Sequence, residues 1–383
     1  MEKILILSTG KYPNGDAGAI RQHAFAKLFD LCGYSPFVIG LGESTGFEYK
    51  EYDGVSYTSF RAKNNSILNR ILNRLFFKVR LKKFLKNNTG FSKIMVVSIP
   101  QNTLFYLKRY AKKKAIQLIH DSVEWYSPEE YSLGIFSPSY IVNNAYNTKW
   151  IDNRFKVIAI SNYLQKLYLS RKNDTIRIPV IMDVHSMSYK KQVNVDKLVL
   201  VYAGAVGRKD YLREIIEGLS LLETEELKKV ELRIFGVNDN QMKCDVGVHD
   251  HTVRKLSSSL KCYGRVSRDE VLSNLKEADF TVLLRSPRQR YAKAGFPTKV
   301  VESLASATPV ILNLTSDLGD YLNDMENSIV VADCTAESLC KALRKAIRLK
   351  PEERQNMQFN ARKTAERYFD YRNYIDDIKL ILN

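Results

Sequence analysis

Short, nearly continuous apolar runs punctuate the chain, each followed by a stretch long enough for a helix. "KILILS", "SPFVIG", "KIMVVS", "AIQLIH" and "KVIAIS" occupy the first half; "KLVLVYAG", "VELRIFG", "ADFTVLL" and "TPVILN" occupy the second. Apolar runs of this length alternating with amphipathic segments predict buried parallel strands and crossover helices. The fold class is therefore α/β, with two Rossmann-like, doubly wound parallel sheets. Around residues 184–196 polar and basic residues interrupt the rhythm, and a new strand begins at Lys197. The pattern predicts one domain over 1–190, a second over 191–368, and a terminal helix over 369–383. Ligands of such folds bind beyond the carboxyl ends of the strands, which places a site in a cleft between the two sheets.

One helical segment breaks the balance of charge. In residues 61–88, Arg70, Arg74, Lys78 and Lys82 recur every fourth position, while Leu68, Leu72, Leu75 and Val79 follow another face, and no acid interrupts them. A surface helix packed on the sheet satisfies this pattern. So does a helix resting on anionic lipid headgroups, with Phe76, Phe77 and Phe84 reaching lipid while the leucines pack.

Composition narrows the class further. At 383 residues with 45% hydrophobic content the chain can build two cores, and its formal net charge of +17 calls for an acidic partner. The five cysteines are irregularly spaced with no C-x-x-C pair, which points to a reducing compartment. The opening "MEKILILSTGKYPNG" has too short an apolar core for a signal peptide, and no later run is long enough to span a bilayer. The expectation is a cytoplasmic protein.

Three turns carry candidate chemistry. In "STGKYPNGDAGAIRQHAFAKLF", Gly15 and Gly18 allow a loop to approach a ligand and Arg21 stands ready for a phosphate, although no dinucleotide fingerprint is present. In "VYAGAVGRKDYLREIIEGL", Gly204 and Gly207 bracket a turn followed at once by Arg208 and Lys209, a plausible diphosphate clamp. In "GFPTKVVESLASATPVI", Gly295 and Phe296 precede Pro297 and Thr298 at a helix start, whose unpaired amides favour an anion. Lys299 adds charge there, Arg285 in the preceding "LLRSPRQRYAKA" adds more, and Glu302 can accept from a vicinal diol. On the first half, "IQLIHDSVEWYSPEEY" places His120, Asp121 and Glu124 just beyond a strand. The remaining histidines show no metal-ligand spacing and no D-x-D occurs.

Together these stretches resemble the family-4 retaining glycosyltransferases of the two-Rossmann (GT-B) type, particularly bacterial enzymes of capsular or other surface polysaccharide. "GFPTKVVESLASATPVI" is similar to the family's E-G-F-G-x-x-x-x-E-A-x-A-x-G-x-P-V; "CYGRVSRDEVLSNLKEADFTVLL" and "VIAISNYL" resemble further family segments. The resemblance implies a nucleoside-diphosphate sugar (UDP or GDP) as donor. Arg208 and Lys209 would then bind its phosphates, Glu302 its ribose, and the backbone at Gly264 and Val266 its base. It implies His120 near the transferred sugar, Asp121 or Glu124 on the acceptor hydroxyl, and a tail crossing back to the first domain. Ala294 stands where the family's first glutamate touches the sugar. The acceptor expected is a lipid-linked saccharide at the inner membrane face, reached through the 61–88 helix, with no metal, cofactor or nucleic acid. The alternatives are a sugar-nucleotide epimerase on the same architecture, which needs several convergent acid/base groups, and a non-catalytic polyanion binder.

Overall fold

The computed structural model describes residues 1–13, 15, 17–42, 48–61, 67–189, 196–205, 207 and 209–383, with side chains at all of these except 61, 67–71 and 74. They divide into two compact units, Met1–Asp183 with Asp370–Asn383, and Val184–Phe369. The boundary expected between 190 and 191 falls among residues 190–195, which lie outside the described residues.

Among the described residues of the first unit, eight strands form one sheet: β1 (Glu2–Lys11), β2 (Tyr34–Gly42), β3 (Lys50–Tyr52), β4 (Val55–Arg61), β5 (Phe91–Val96), β6 (Gln117–Ser122), β7 (Phe155–Ala159) and β8 (Thr175–Arg177). Their spatial order is β3-β4-β2-β1-β5-β6-β7-β8, with every pair parallel except β3–β4. The sequence of β1 explains why the sheet is covered on both sides. Successive side chains point to opposite faces. Leu5 and Leu7 accordingly join one apolar cluster while Ile4 and Ile6 join another, all four fully buried.

The second unit repeats the plan with β9 (Leu198–Ala203), β10 (Val230–Phe235), β11 (Leu260–Gly264), β12 (Phe280–Leu283), β13 (Val310–Leu312) and β14 (Ser328–Val330), all parallel in the order β11-β10-β9-β12-β13-β14. Leu198, Leu200 and Tyr202 feed one cluster, Val199 and Val201 the other. Both units are thus Rossmann-like parallel-sheet domains. In each, the first strand lies between strands whose connections run in opposite directions: β1 between β2 and β5, β9 between β10 and β12. The carboxyl ends beside β1 and β9 are the places where doubly wound sheets hold ligands.

The tail belongs to the first unit. Tyr371, Ile378, Ile381 and Leu382 share a cluster with Ile4, Ile6 and Phe25. The break expected near Asp370 coincides with the end of the Pro351–Tyr368 helix, followed by a single 3-10 turn (Tyr371–Tyr374) and the Ile375–Leu382 helix. Asp370 caps that turn, accepting from the Arg372 amide at 3.0 Å.

The basic helix spans Ile67–Asn87, and its faces differ from the sequence expectation. Phe77, Leu81, Phe84 and Leu85 are buried at helical spacing, whereas Leu75, Phe76 and Val79 are exposed. Phe77 and Phe84 therefore pack on β-sheet side chains rather than reach outward; Phe77 meets Phe60 and Phe84 meets Phe37. The reason is volume: the cluster over this sheet face needs large rings, and the helix turns its rings inward to fill it. Arg70, Arg74 and Leu68 have side chains outside the described residues.

Candidate functional site

In the second unit, the strand ends beside β9 gather two cations onto one acid. Asp210 accepts from Arg285 Nε at 2.8 Å through one oxygen and from Lys299 Nζ at 2.5 Å through the other. The Tyr202 hydroxyl donates to the same carboxylate at 3.1 Å, and the Lys299 ammonium lies 4.9 Å from the Tyr202 ring centre. Arg285 is fixed from behind: its amide donates to Asn313 Oδ1 at 2.9 Å, and Asn313 Nδ2 returns a bond to its carbonyl at 2.8 Å. Backbone pairing between Asp210 and Arg285 ties the turn after β9 to the end of β12. Burial alone would raise the Asp210 carboxyl, but Lys299 and Arg285 outweigh it and hold it at about 2, well below its usual 3.8. Lys299 is lowered, by burial first, with Asp210 opposing and Arg285 assisting.

Glycine is required where these groups converge. A Cβ on Gly204 would lie 2.6 Å from Lys299 Nζ and 2.7 Å from the Tyr202 hydroxyl. Gly236 has φ +94°, and a Cβ there would strike the Gly204 carbonyl at 2.5 Å. The Lys209 side chain extends over the Tyr291 ring at 5.7 Å, and the Tyr291 hydroxyl donates to the Lys209 carbonyl. Arg208 lies outside the described residues.

The turn that begins the Thr298–Ala305 helix divides its labour. Phe296 is core, packed edge-on to Tyr321 and tilted against Phe369. Pro297 is the N-cap and supplies no side-chain cap, while Lys299 in the first turn supplies the cation. Gly295 ends the short Arg290–Ala294 helix through its amide to Tyr291 O at 2.8 Å; its φ of −88° is open to any residue, so no close ligand approach is needed to explain it. Ala294 is fully buried. One turn on, Glu302 is held by Arg268, whose Nε and Nη2 donate to a single oxygen, Oε1, at 3.1 and 2.8 Å. At Gly264, φ is +66°; its amide donates to Val237 O at 3.1 Å and its carbonyl accepts from Gly236 at 2.6 Å. The Gly264 amide is thus committed within the fold, and Val266 packs its side chain on the Val199–Phe235 cluster.

In the first unit a cavity of about 480 Å³ opens at the carboxyl ends of β1, β5 and β6. His120, Asp121 and Glu124 all line it, with Thr9, Ser98 and Asn147. His120 donates Nδ1–H to Val96 O at 3.1 Å and packs between Tyr146 and Tyr168. Burial lowers it to about 4, against the Val96 bond, so the ring is neutral at pH 7 with Nε2 as an acceptor. Glu124 accepts from the Tyr126 hydroxyl.

Arg21 departs from its expected role. It is buried and donates to both oxygens of Asp121, with Nε contacts of 3.1 and 2.9 Å and an Nη2 contact of 2.8 Å. Its other donors go to the carbonyls of Pro179 and Ile178, and it lies 4.7 Å from the Phe25 ring centre. The pair fastens the first helix to β6 and to the chain just after β8 rather than awaiting a phosphate. Gly15 likewise answers its own chain, since a Cβ there would meet Lys11 O at 2.3 Å, and Gly18 sits in the first turn of the Ala17–Leu31 helix.

Sequence reading missed Asp210, Tyr202, Gly236 and Arg268. Asp210 carried a usable signal, an acid directly after two cations in a glycine-bracketed turn. Arg268 carried none, because its partner lies 34 positions away.

Residues 185–364 match the model of glycosyl transferases group 1. No curated protein matches the chain. Among solved structures, sucrose-phosphate synthase from Thermosynechococcus elongatus superposes with TM-score 0.75 at 14% identity, over 100% of this chain and 98% of that one. HepE from Anabaena, in complex with UDP and glucose, gives 0.69 at 14% identity, over 100% and 99%. The apo lipopolysaccharide outer core galactosyltransferase WaaB gives 0.61 at 14% identity, over 99% of each chain. The chain therefore has the GT-B fold of two Rossmann-like domains, and the match to glycosyl transferases group 1 falls within its second unit.

Proposed function

We propose that the chain is a retaining, metal-independent glycosyltransferase. It moves a sugar from a UDP or GDP donor to a hydroxyl of a lipid-linked glycan at the cytoplasmic face of the membrane, in surface polysaccharide synthesis. The observation that carries this reading is the placement of Lys299 and Arg285 on Asp210, against Gly204, at the carboxyl end of β9. The match of residues 185–364 and the UDP bound by HepE favour a nucleotide-sugar donor.

Breaking a glycosyl–diphosphate bond leaves negative charge on the departing phosphate. Catalysis then consists mainly of meeting that charge with positive potential already in place. Asp210 keeps Lys299 and Arg285 from splaying, so their approach costs little reorganisation when an anion arrives. Lys209 and the amides at the start of the Thr298–Ala305 helix add to the same potential. These cations can neutralise a diphosphate without a divalent ion. Glu302 has one oxygen occupied by Arg268, and its Oε2 would accept from the ribose diol. In the first unit, neutral His120 offers Nε2 to a sugar hydroxyl, while Glu124 orients the acceptor; Asp121, paired with Arg21, holds the floor of the cavity. Buried Ala294 leaves the sugar without one familiar carboxylate contact, which favours recognition of that sugar by backbone and neutral groups. The acid-free run of the Ile67–Asn87 helix supports an anionic membrane surface as the place of work.

A thermal-shift panel of UDP, GDP and ADP sugars tests the reading. One donor is expected to raise Tm in proportion to its affinity, and that donor is expected to be turned over. Lys299→Ala is then expected to lower kcat by roughly 10²–10³-fold. If no nucleotide sugar stabilises the protein, or if Lys209→Ala/Lys299→Ala transfers as fast as the parent, the proposal is wrong.

A further inference from the structure

The first unit carries an apolar surface that neither the cavity nor the core explains. From residue 131 to residue 148 the sequence contains no charged residue, in a chain that is 26% charged. Within it Leu133, Ile135, Phe136 and Ile141 are 62%, 57%, 78% and 53% exposed. Isolated exposed hydrophobics are ordinary, but four large ones within nine positions form a patch of the kind that marks an interaction surface.

The segment is well organised. The Gly134–Phe136 turn leads into the Pro138–Ala145 helix through the Ser137 amide bonded to Gly134 O at 3.1 Å. Asn143 accepts from the Tyr126 amide at 3.0 Å and Asn144 from the Trp125 indole at 3.1 Å. Tyr131 packs edge-on to both Tyr126 and Tyr140. Asn143, Asn144 and Tyr131 thus face the fold, and Leu133, Ile135, Phe136 and Ile141 are presented outward.

Position says what covers them. The Pro138–Ala145 helix lines the 480 Å³ cavity with Ser139, Val142 and Asn143, and the Ile67–Asn87 helix lines it with Leu75. Leu75, Phe76 and Val79, 56%, 49% and 60% exposed, make a second apolar group on that helix. Interspersed are Lys78, Arg80, Lys82, Lys83 and Lys86, with no acid between Ile67 and Asn87. The two helices that line this polar-floored cavity therefore each carry or adjoin exposed apolar groups, one of them set among cations. An anionic bilayer matches both features at once: its headgroups meet the lysines and its acyl region accepts the apolar side chains.

We propose that the uncharged segment 131–148 inserts Leu133, Ile135, Phe136 and Ile141 into the acyl edge of an anionic membrane, which brings the cavity mouth to headgroup level. This rests on the reading that the acceptor is lipid-linked, and it adds the element that grips the bilayer, one not contained in the basic helix. Dispersed charge–headgroup attraction alone is abolished by salt; insertion persists when salt is raised.

The test is vesicle flotation of the full chain with phosphatidylcholine alone and with phosphatidylcholine/phosphatidylglycerol. The parent is expected to float with the mixed vesicles and to retain part of that binding in high salt. Leu133→Ser/Ile135→Ser/Phe136→Ser, all at exposed positions outside the cavity lining, is expected to lose at least about tenfold in partitioning. A Phe136→Trp variant is expected to show lipid-dependent quenching by bromolipids above that of the parent. Equal flotation of the triple variant, absence of quenching, or a parent self-association that the triple variant abolishes would overturn the proposal. Titration of the same proteins with UDP and with GDP keeps the two readings apart. Intact binding of either nucleotide with no effect of the triple variant on vesicles sinks the insertion element alone. Absent binding of UDP and GDP alike, with the vesicle result as expected, sinks the donor reading alone.

Discussion

Arg21 and Arg285 occupy comparable places in the two units, each at the carboxyl-end side of its unit's sheet and each paired to an aspartate. Their surroundings make them different groups. Arg21 and Asp121 are 5% and 1% exposed, and the remaining guanidinium donors go to two backbone carbonyls. Four of its five N–H groups are thereby bonded within the unit, and burial withholds the guanidinium from a ligand. Asp210 is shared by two cations, so the cluster keeps an excess of positive charge, and Lys299 retains 29% exposure. Saturation of partners decides the matter. A cation matched one-to-one and fully bonded is a rivet, whereas a cation sharing its counter-ion remains available to an anion.

The largest effect that would test this contrast is on the rivet. Arg21→Ala leaves Asp121 buried without its partner, and breaking such a pair costs about 3–5 kcal/mol. Urea denaturation should show that loss, and Arg21→Lys should restore only part of it because the bidentate geometry is gone. A loss under about 1 kcal/mol would mean that the pair is a surface-like contact.

A smaller effect concerns Asp210. Its carboxyl is depressed from 3.8 to about 2 in the folded chain. The stability this provides is present above the unfolded value and is lost as pH falls from about 4 toward 2. The depression corresponds to about 2 kcal/mol. Denaturation of the parent and of Asp210→Asn between pH 5 and 2 should differ in slope, the variant being the flatter. Parallel profiles would show that Lys299 and Arg285 do not hold the charge.

The smallest concerns Arg268, which is 47% exposed and grips one oxygen of Glu302. Arg268→Ala should raise donor KM by about fivefold with kcat nearly unchanged, the loss of an exposed ion pair worth at most ~1 kcal/mol. Glu302→Gln should raise it more, since the diol contact itself weakens. Equal effects of the two would place Arg268, rather than Glu302, on the ligand.

Strands buried on both faces were legible because each is a continuous apolar run: β1, β2, β5, β6, β7, β9, β10, β12 and β13 all lie where the pattern puts them. Five strands lack that signature: β4, although largely buried, interleaves Ser and Thr with its apolar residues, β14 is only three residues long, and the other three lack cover. β3 is exposed throughout, β8 is only half-buried, and β11 alternates half-buried and exposed positions. Edge strands have one sheet neighbour and less cover, so polar residues are tolerated there and the apolar run disappears. The same logic explains the basic helix. Its period was readable, but which stripe turned inward depended on the volume to be filled beneath it, and Phe77 and Phe84 won over Leu75 and Val79.

By itself, the sequence determined two parallel-sheet units, the glycine-bracketed turn after β9, and a cationic helix start at Pro297. Each follows from local rules of apolar period, φ freedom and amide availability. Only the tertiary structure decided which charges are spent: Arg21 on Asp121, Glu302 shared with Arg268, Lys299 and Arg285 converging on Asp210. Those pairings join residues dozens to a hundred positions apart, and the strength of a charge pair depends on distance and burial, quantities that exist only once the chain has folded.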